Sequence, residues 1–323
     1  MPLLANVDPL TVVTPLQPLF PQLVTSFLRL SPHSSAEAER IIKERSIRFC
    51  LDRTTSEFLY KASAFHDGTA PFFQRLHVGL RALERTWAAV FGYLVLFGWI
   101  AERHNARRAG HADPPQPAAL GDAAALHSWA FSTRHSDENF VWPTALPSPS
   151  HPHLDADLMT RVNATSVRVV GWMLLHELGH FERRHLEPPD PGKSIHPHDE
   201  EHEADAWAAA LVTTPLDLDH CRTNLGSIPF ALGALAAINH KETEEHPPIA
   251  ERLRRYFRAH VAPLATTDPA LFNTALFATT TPLQAILHVR GWSTQGFQPL
   301  QNLDEYLIWW EAEIEKLATD QPT

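Results

Sequence analysis

The stretch Val167-Arg168-Val169-Val170-Gly171-Trp172-Met173-Leu174-Leu175-His176-Glu177-Leu178-Gly179-His180-Phe181-Glu182-Arg183-Arg184-His185 decides how this chain is read. Its first half is apolar and free of proline. Its second half keeps a helical composition until Pro188-Pro189 stops it. A helix is therefore expected over residues 157–186. His176 and His180 stand four apart on one face, with Glu177 beside them. Two neutral imidazoles at that spacing can grip one zinc ion, and the glutamate can take a proton from water. A plain core helix carrying two surface histidines would look the same, so a second feature has to decide.

That feature is Asp199-Glu200-Glu201-His202-Glu203-Ala204-Asp205. Asp199 is a plausible N-cap for a helix from Glu200 to about Thr213, ended before Pro215. A catalytic zinc site needs a third protein ligand and an open position. Glu201 and Glu203 both offer a carboxylate, but two residues are roughly 200° around a helix, so both cannot face one ion. Glu201 shares a face with Asp205 and with the small residues Ala204 and Ala208. Glu201 is therefore expected as the ligand. Asp205 is expected behind it, accepting the free N–H of a ligating histidine. The competing reading is a solvated acidic first turn favoured by the helix dipole. A metzincin would need a histidine at position 186, which is leucine; His185 falls one residue short and off the face, and reads as structural.

Downstream lies His246-Pro247-Pro248-Ile249-Ala250-Glu251-Arg252. Alone it is a proline-started helix with a surface arginine. After a metal motif, His246 or Arg252 becomes a candidate donor to the tetrahedral oxyanion of peptide hydrolysis. His151, His153, His196 and His198 fall in loops and read as solvent-exposed. No G-x-S-x-G elbow, P-loop or G-x-G-x-x-G occurs.

These three segments, HELGH, EEHEAD and EEHPPIAER, resemble the order of motifs in gluzincin-type peptidases, including the CAAX prenyl proteases. The closer likeness is to the Lit phage-exclusion peptidase family. It is carried by GWMLLHELGHFERRH, DEEHEADAWAAALV and HPPIAERL, with the aromatic segment TWAAVFGYLVLFGWIAERHN upstream. The likeness covers about residues 80–260. It implies a zincin-like peptidase with Zn2+ held by His176, His180 and Glu201, Glu177 as catalytic base, and His246 with Arg252 stabilising the transition state. It also implies a protein substrate, elongation factor Tu, cleaved inside a bacterial cell on a trigger from a phage peptide or protein. Two other functions fit the residues: a peptidase that cleaves a repressor or antitoxin, and a non-enzymatic, metal-stabilised helical binding protein. Retention of Glu177 favours an enzyme, since a structural zinc site does not need it.

Composition sets the outer bounds. Net charge is −10, with 27 Lys and Arg against 37 Asp and Glu, which argues against a nucleic-acid partner. Cys50 and Cys221 stand far apart in no metal or redox spacing, which fits a reducing, cytoplasmic location. The N-terminus shows no basic segment before an apolar one, so no signal peptide is expected. The uncharged run Thr86 to Ala101 would span about 24 Å as a helix, short of the roughly 30 Å hydrocarbon core. It reads as a buried core helix rather than a membrane contact.

The fold expected is mainly α with a small β element, in the α+β class. Residues 1–75 are expected as an irregular N-terminal segment, and residues 76–323 as the helical metallopeptidase domain. Within the first part, Ala36 to Arg45 reads as a short helix. Ile47 to Leu51 reads as a strand, with Glu57 to Lys61 as its hairpin partner. Residues 72–105 read as one or two long helices, with further helices near 228–240 and 248–260. A last helix is expected from Leu303 to Leu317, with an apolar stripe that packs on the core. Loops at 131–153 and 187–198 flank the motifs and are long enough to act as gates.

Overall fold

Every residue from Val169 to His176 is buried. A helix that is apolar on every side has no face to offer water, so neighbours must surround it. The computed structural model describes residues 14–23, 25–52, 60–65, 73–132, 141–149, 155–187, 196–213, 218–238 and 246–289. Along the chain run α1 (Phe20–Leu23), a 3-10 turn (Ser26–Arg29), α2 (Pro32–Glu44), β1 (Arg48–Asp52), β2 (Tyr60–Phe65) and β3 (Phe73–Gly79). Then come α3 (Leu80–Arg108), α4 (Leu120–Ser132), α5 (Ala156–Glu182), α6 (Pro197–Thr213), α7 (Leu218–Ile238) and α8 (Ile249–Tyr256). A π-helical turn (Phe257–Val261), α9 (Leu264–Thr267) and α10 (Pro269–Val289) complete it. The architecture is mainly helical with one small sheet, as expected.

Helix α5 carries the buried stretch and the HExxH residues. Helices α3, α6 and α7 and the 3-10 turn all pack against it. Its start is fixed by Asp155, whose Oδ1 accepts from the Leu158 N–H at 2.8 Å. One buried core spans both sides of residue 75: Leu16, Phe20, Leu23, Phe27 and Leu30 belong to it together with Val170 and Trp172. Gly171 makes the approach of the N-terminal segment possible. A Cβ there would lie 2.9 Å from the carbonyl oxygen of Ser26.

The apolar run Thr86 to Ala101 lies inside α3 and is largely buried there, as expected. The Trp87 indole N–H donates to Asn163 Oδ1 on α5 at 3.0 Å. Among the described residues, no helix is long and apolar enough to cross a membrane.

Several expected boundaries differ. Residues 73–79, read as the start of a helix, form β3 instead. Leu76 and Val78 are buried while Arg75 and His77 are less so, and that alternation is the period of a strand. Of the expected hairpin between residues 47–51 and 57–61, the described partner residues Tyr60 and Lys61 pair with β3 and not with β1. β3 lies between the other two strands, pairing parallel with β1 and antiparallel with β2, so each takes one of its edges. Residues 57–59 lie outside the described residues.

The expected irregular N-terminal segment is not all irregular: α1, the 3-10 turn and α2 lie within it. Helix α2 starts at Pro32 rather than Ala36, because Ser31 and Ser34 form a reciprocal cap. Each hydroxyl accepts from the other's backbone N–H at 3.0 Å, and Pro32 sits at the first helical position. Helix α5 ends at Glu182, short of residue 186. Arg184 adopts φ 63°, and the N–H groups of Arg184 and His185 return to the carbonyls of Phe181 and His180. The expected helix from Leu303 to Leu317 lies outside the described residues. So do residues 133–140, 150–153 and 188–195 of the two expected gate loops.

Candidate metal centre

His176 and His180 are one turn apart on α5, and their rings stand nearly perpendicular, 84° apart. Glu201 comes from the first turns of α6. All three are buried, with 5 %, 9 % and 6 % of their surface exposed. The two helices can meet here because Gly179 faces Ala204: a Cβ on Gly179 would lie 3.2 Å from the Ala204 Cα. Ala204 and Ala208, the small residues expected on this face, are fully buried.

The three side chains converge on one point. His176 Nε2 lies 3.3 Å from His180 Nε2. Glu201 Oε2 lies 3.3 Å from His176 Nε2, and Glu201 Oε1 lies 3.3 Å from His180 Nε2. Ligands at about 2.0–2.1 Å from a tetrahedral zinc ion are themselves about 3.3 Å apart. The triangle therefore has the edges of such a site, and these donors can hold a metal ion. Glu203 points elsewhere and is half-exposed.

The surrounding charges favour a cation. Burial alone would lower the pKa of His176, but the carboxylates of Glu201 and Asp205 outweigh it and raise it to about 10. Burial would raise the pKa of Glu201, yet His176, His180 and His246 hold it well below the carboxylate range. The field in the pocket thus stabilises positive charge at the ring edge, whether a proton or a metal ion supplies it.

Asp205 sits behind His176, with Oδ1 2.9 Å from Nδ1. The ring nitrogen makes no well-aligned hydrogen bond in this rotamer, so the contact is mainly one of charge. Burial opposes ionisation of Asp205, but Arg252 and His176 overcome that and hold its pKa at about 2. Arg252, from the first turn of α8, is itself buried. Its Nε and Nη2 donate to the two oxygens of Asp205 at 2.7 and 2.6 Å. Its Nη1 lies 3.5 Å from Glu201 Oε2. His246 is the more open of the downstream pair. Its side chain is 42 % exposed, with Nδ1 3.2 Å from Glu201 Oε1. Glu177 is partly exposed on the adjoining sector of α5 and is coupled electrostatically to Arg252. All seven residues singled out in the sequence therefore belong to this neighbourhood.

The family model of Peptidase U49 matches residues 77–268, more than half of the chain. The chain belongs to the Peptidase U49 family. The matched region begins inside β3 and runs through α9, so all three motifs of this Peptidase U49 member fall within it. No curated protein and no solved structure matches the chain. Membership makes the protein a peptidase, which acts on a protein or peptide substrate.

The sequence reading missed a second group of contacts. His185 Nδ1 lies 3.0 Å from His180 Nδ1, and His185 Nε2 lies 3.3 Å from Glu203 Oε2. The usable signal was the end of α5, since His185 reaches His180 only because the helix stops at Glu182.

Proposed function

We propose that this peptidase is a zinc-dependent, zincin-like endopeptidase of the gluzincin type. The observation that carries the reading is the buried 3.3 Å triangle of His176, His180 and Glu201 with Glu177 beside it. Bound zinc would supply Lewis acidity to the scissile carbonyl and lower the pKa of water nearby. Glu177 takes a proton from the attacking water and passes it to the leaving amine. His246, half-open to solvent and beside Glu201, is placed to donate to the oxyanion of the tetrahedral intermediate. Arg252 acts differently from His246. Its guanidinium grips Asp205, which orients His176, and its positive charge reaches Glu201.

The Lit-like motif order supports a cytoplasmic role in bacterial phage defence, with elongation factor Tu as substrate and a phage peptide or protein as trigger. A mildly acidic chain with its cysteines far apart fits that setting.

The test is to incubate purified wild type and Glu177→Gln with lysate of phage-infected bacteria, with and without chelator, and to identify new protein termini. Wild type should create termini that the chelator abolishes. Glu177→Gln should keep its zinc and lose about 10²-fold or more in rate. Equal cleavage by Glu177→Gln would sink the mechanism.

A further inference from the structure

We propose that His185 and Glu203 form a positioning relay that fixes His180 as a metal ligand. This inference rests on the zinc reading above. His180 presents Nε2 to the triangle, so that nitrogen must keep its lone pair free for the ion and its proton must sit on Nδ1. Nδ1 faces His185 Nδ1 at 3.0 Å. Two protonated nitrogens cannot share that contact, so His185 Nδ1 is the acceptor. The proton of neutral His185 then lies on Nε2, where Glu203 Oε2 stands 3.3 Å away to accept it. Each nitrogen's state follows from the one before, and the chain ends on an anion.

The helix end builds this arrangement. With α5 stopped at Glu182, Arg184 turns through φ 63° and the His185 N–H returns to the carbonyl of His180. That folds the His185 side chain back against His180, where only 2 % of it remains exposed. Glu203 comes from α6, two residues after Glu201. The two glutamates cannot share a face, and here each serves the same ion from a different distance. One faces the triangle, and the other supports a ligand through His185. His176 has its own support in Asp205 and Arg252, so each imidazole is backed by a carboxylate, His176 by Asp205 directly and His180 by Glu203 through His185.

Outer contacts of this kind typically change metal affinity by about 10–100-fold. The experiment measures zinc affinity of the full-length protein by competition with a chromophoric chelator, with unfolding of each metal-free variant as a folding control. Glu201→Ala should lose zinc outright. His185→Ala and Glu203→Gln should each weaken binding, with His185→Ala at about 10-fold or more. Once His185 is alanine, Glu203→Gln should have no further effect, because its influence passes through that ring. His185→Asn keeps an acceptor near the place of Nδ1 and should recover part of the affinity. Glu203 is half-exposed, so Glu203→Gln reports even where His185→Ala folds poorly. Zinc affinity of both single variants within threefold of wild type overturns the relay, as does full additivity in the double variant. If wild type and Glu201→Ala bind zinc equally, the metal reading fails as well. Loss in Glu201→Ala alone removes only the relay.

Discussion

At the scale of single residues, Arg252 carries the sharpest consequence. Its guanidinium is buried between two carboxylates, and removing it leaves Asp205 and Glu201 charged, desolvated and unbalanced. Breaking a buried pair in this way costs about 3–5 kcal/mol. Arg252→Ala should therefore lower the denaturant midpoint strongly, while His246→Ala, at a half-open position, should leave it nearly unchanged and reduce kcat. Urea titrations of both variants with one steady-state assay decide this. An Arg252→Ala protein as stable as wild type would show that the pair contributes nothing to the fold. The inner residues were legible in the sequence because helical periodicity relates them. His176 to His180 and Glu201 to Asp205 are both steps of four. The grip of Arg252 on Asp205 was not legible, since 47 residues separate them and no local period connects them. The sequence suggested a donor near the site, and only the packing of α8 on α6 shows which carboxylate it serves.

Two glycines at the scale of elements separate the assembly of the site from the assembly of the core. Alanine is favoured over glycine inside a helix by about 1 kcal/mol. Overpacking a tight contact costs about 1–3 kcal/mol. At both Gly171 and Gly179 the added carbon would meet backbone, which yields less readily than a side chain, so the second effect should win. The consequences differ. Gly179→Ala pushes α6 from α5 at Ala204, one turn from Glu201, and should weaken zinc binding by about tenfold. Gly171→Ala presses on Ser26 and should lower stability while leaving zinc affinity alone. Chelator competition and thermal unfolding of the two variants check this, and equal zinc affinity in Gly179→Ala would show that the helix approach does not set the triangle. Helices were readable from composition, but their ends were set by contacts that composition does not show. The serine pair at the start of α2, the left-handed Arg184 after α5 and the short alternation Leu76–Val78 each gave a weak local signal.

At the scale of the whole molecule, the N-terminal segment is joined to the central helices by a buried acid. Glu84 on α3 is 3 % exposed, and its Oε1 accepts from the Thr14 hydroxyl at 2.6 Å. The sequence placed Glu84 in a helix but gave no hint of this partner, which lies seventy positions earlier. Burial is the largest influence on its carboxyl and raises the pKa, against smaller opposing effects from Thr14, Arg81 and Arg85. A raised folded pKa means the fold prefers the neutral acid. That preference stabilises the protein fully below the unfolded value of 4.5 and is lost as pH rises through the folded value. Glutamine mimics the neutral acid and can still accept from Thr14. Glu84→Gln should therefore match wild type at pH 4 and be the more stable of the two at pH 7.5. Loss of metal or of other ion pairs in acid affects both proteins alike and cancels in the difference. Paired denaturant titrations at the two pH values give the answer. If Glu84→Gln is instead weaker than wild type at pH 7.5, the ion pair with Arg81, 3.6 Å away, outweighs desolvation, and Glu84 is held charged in the folded protein.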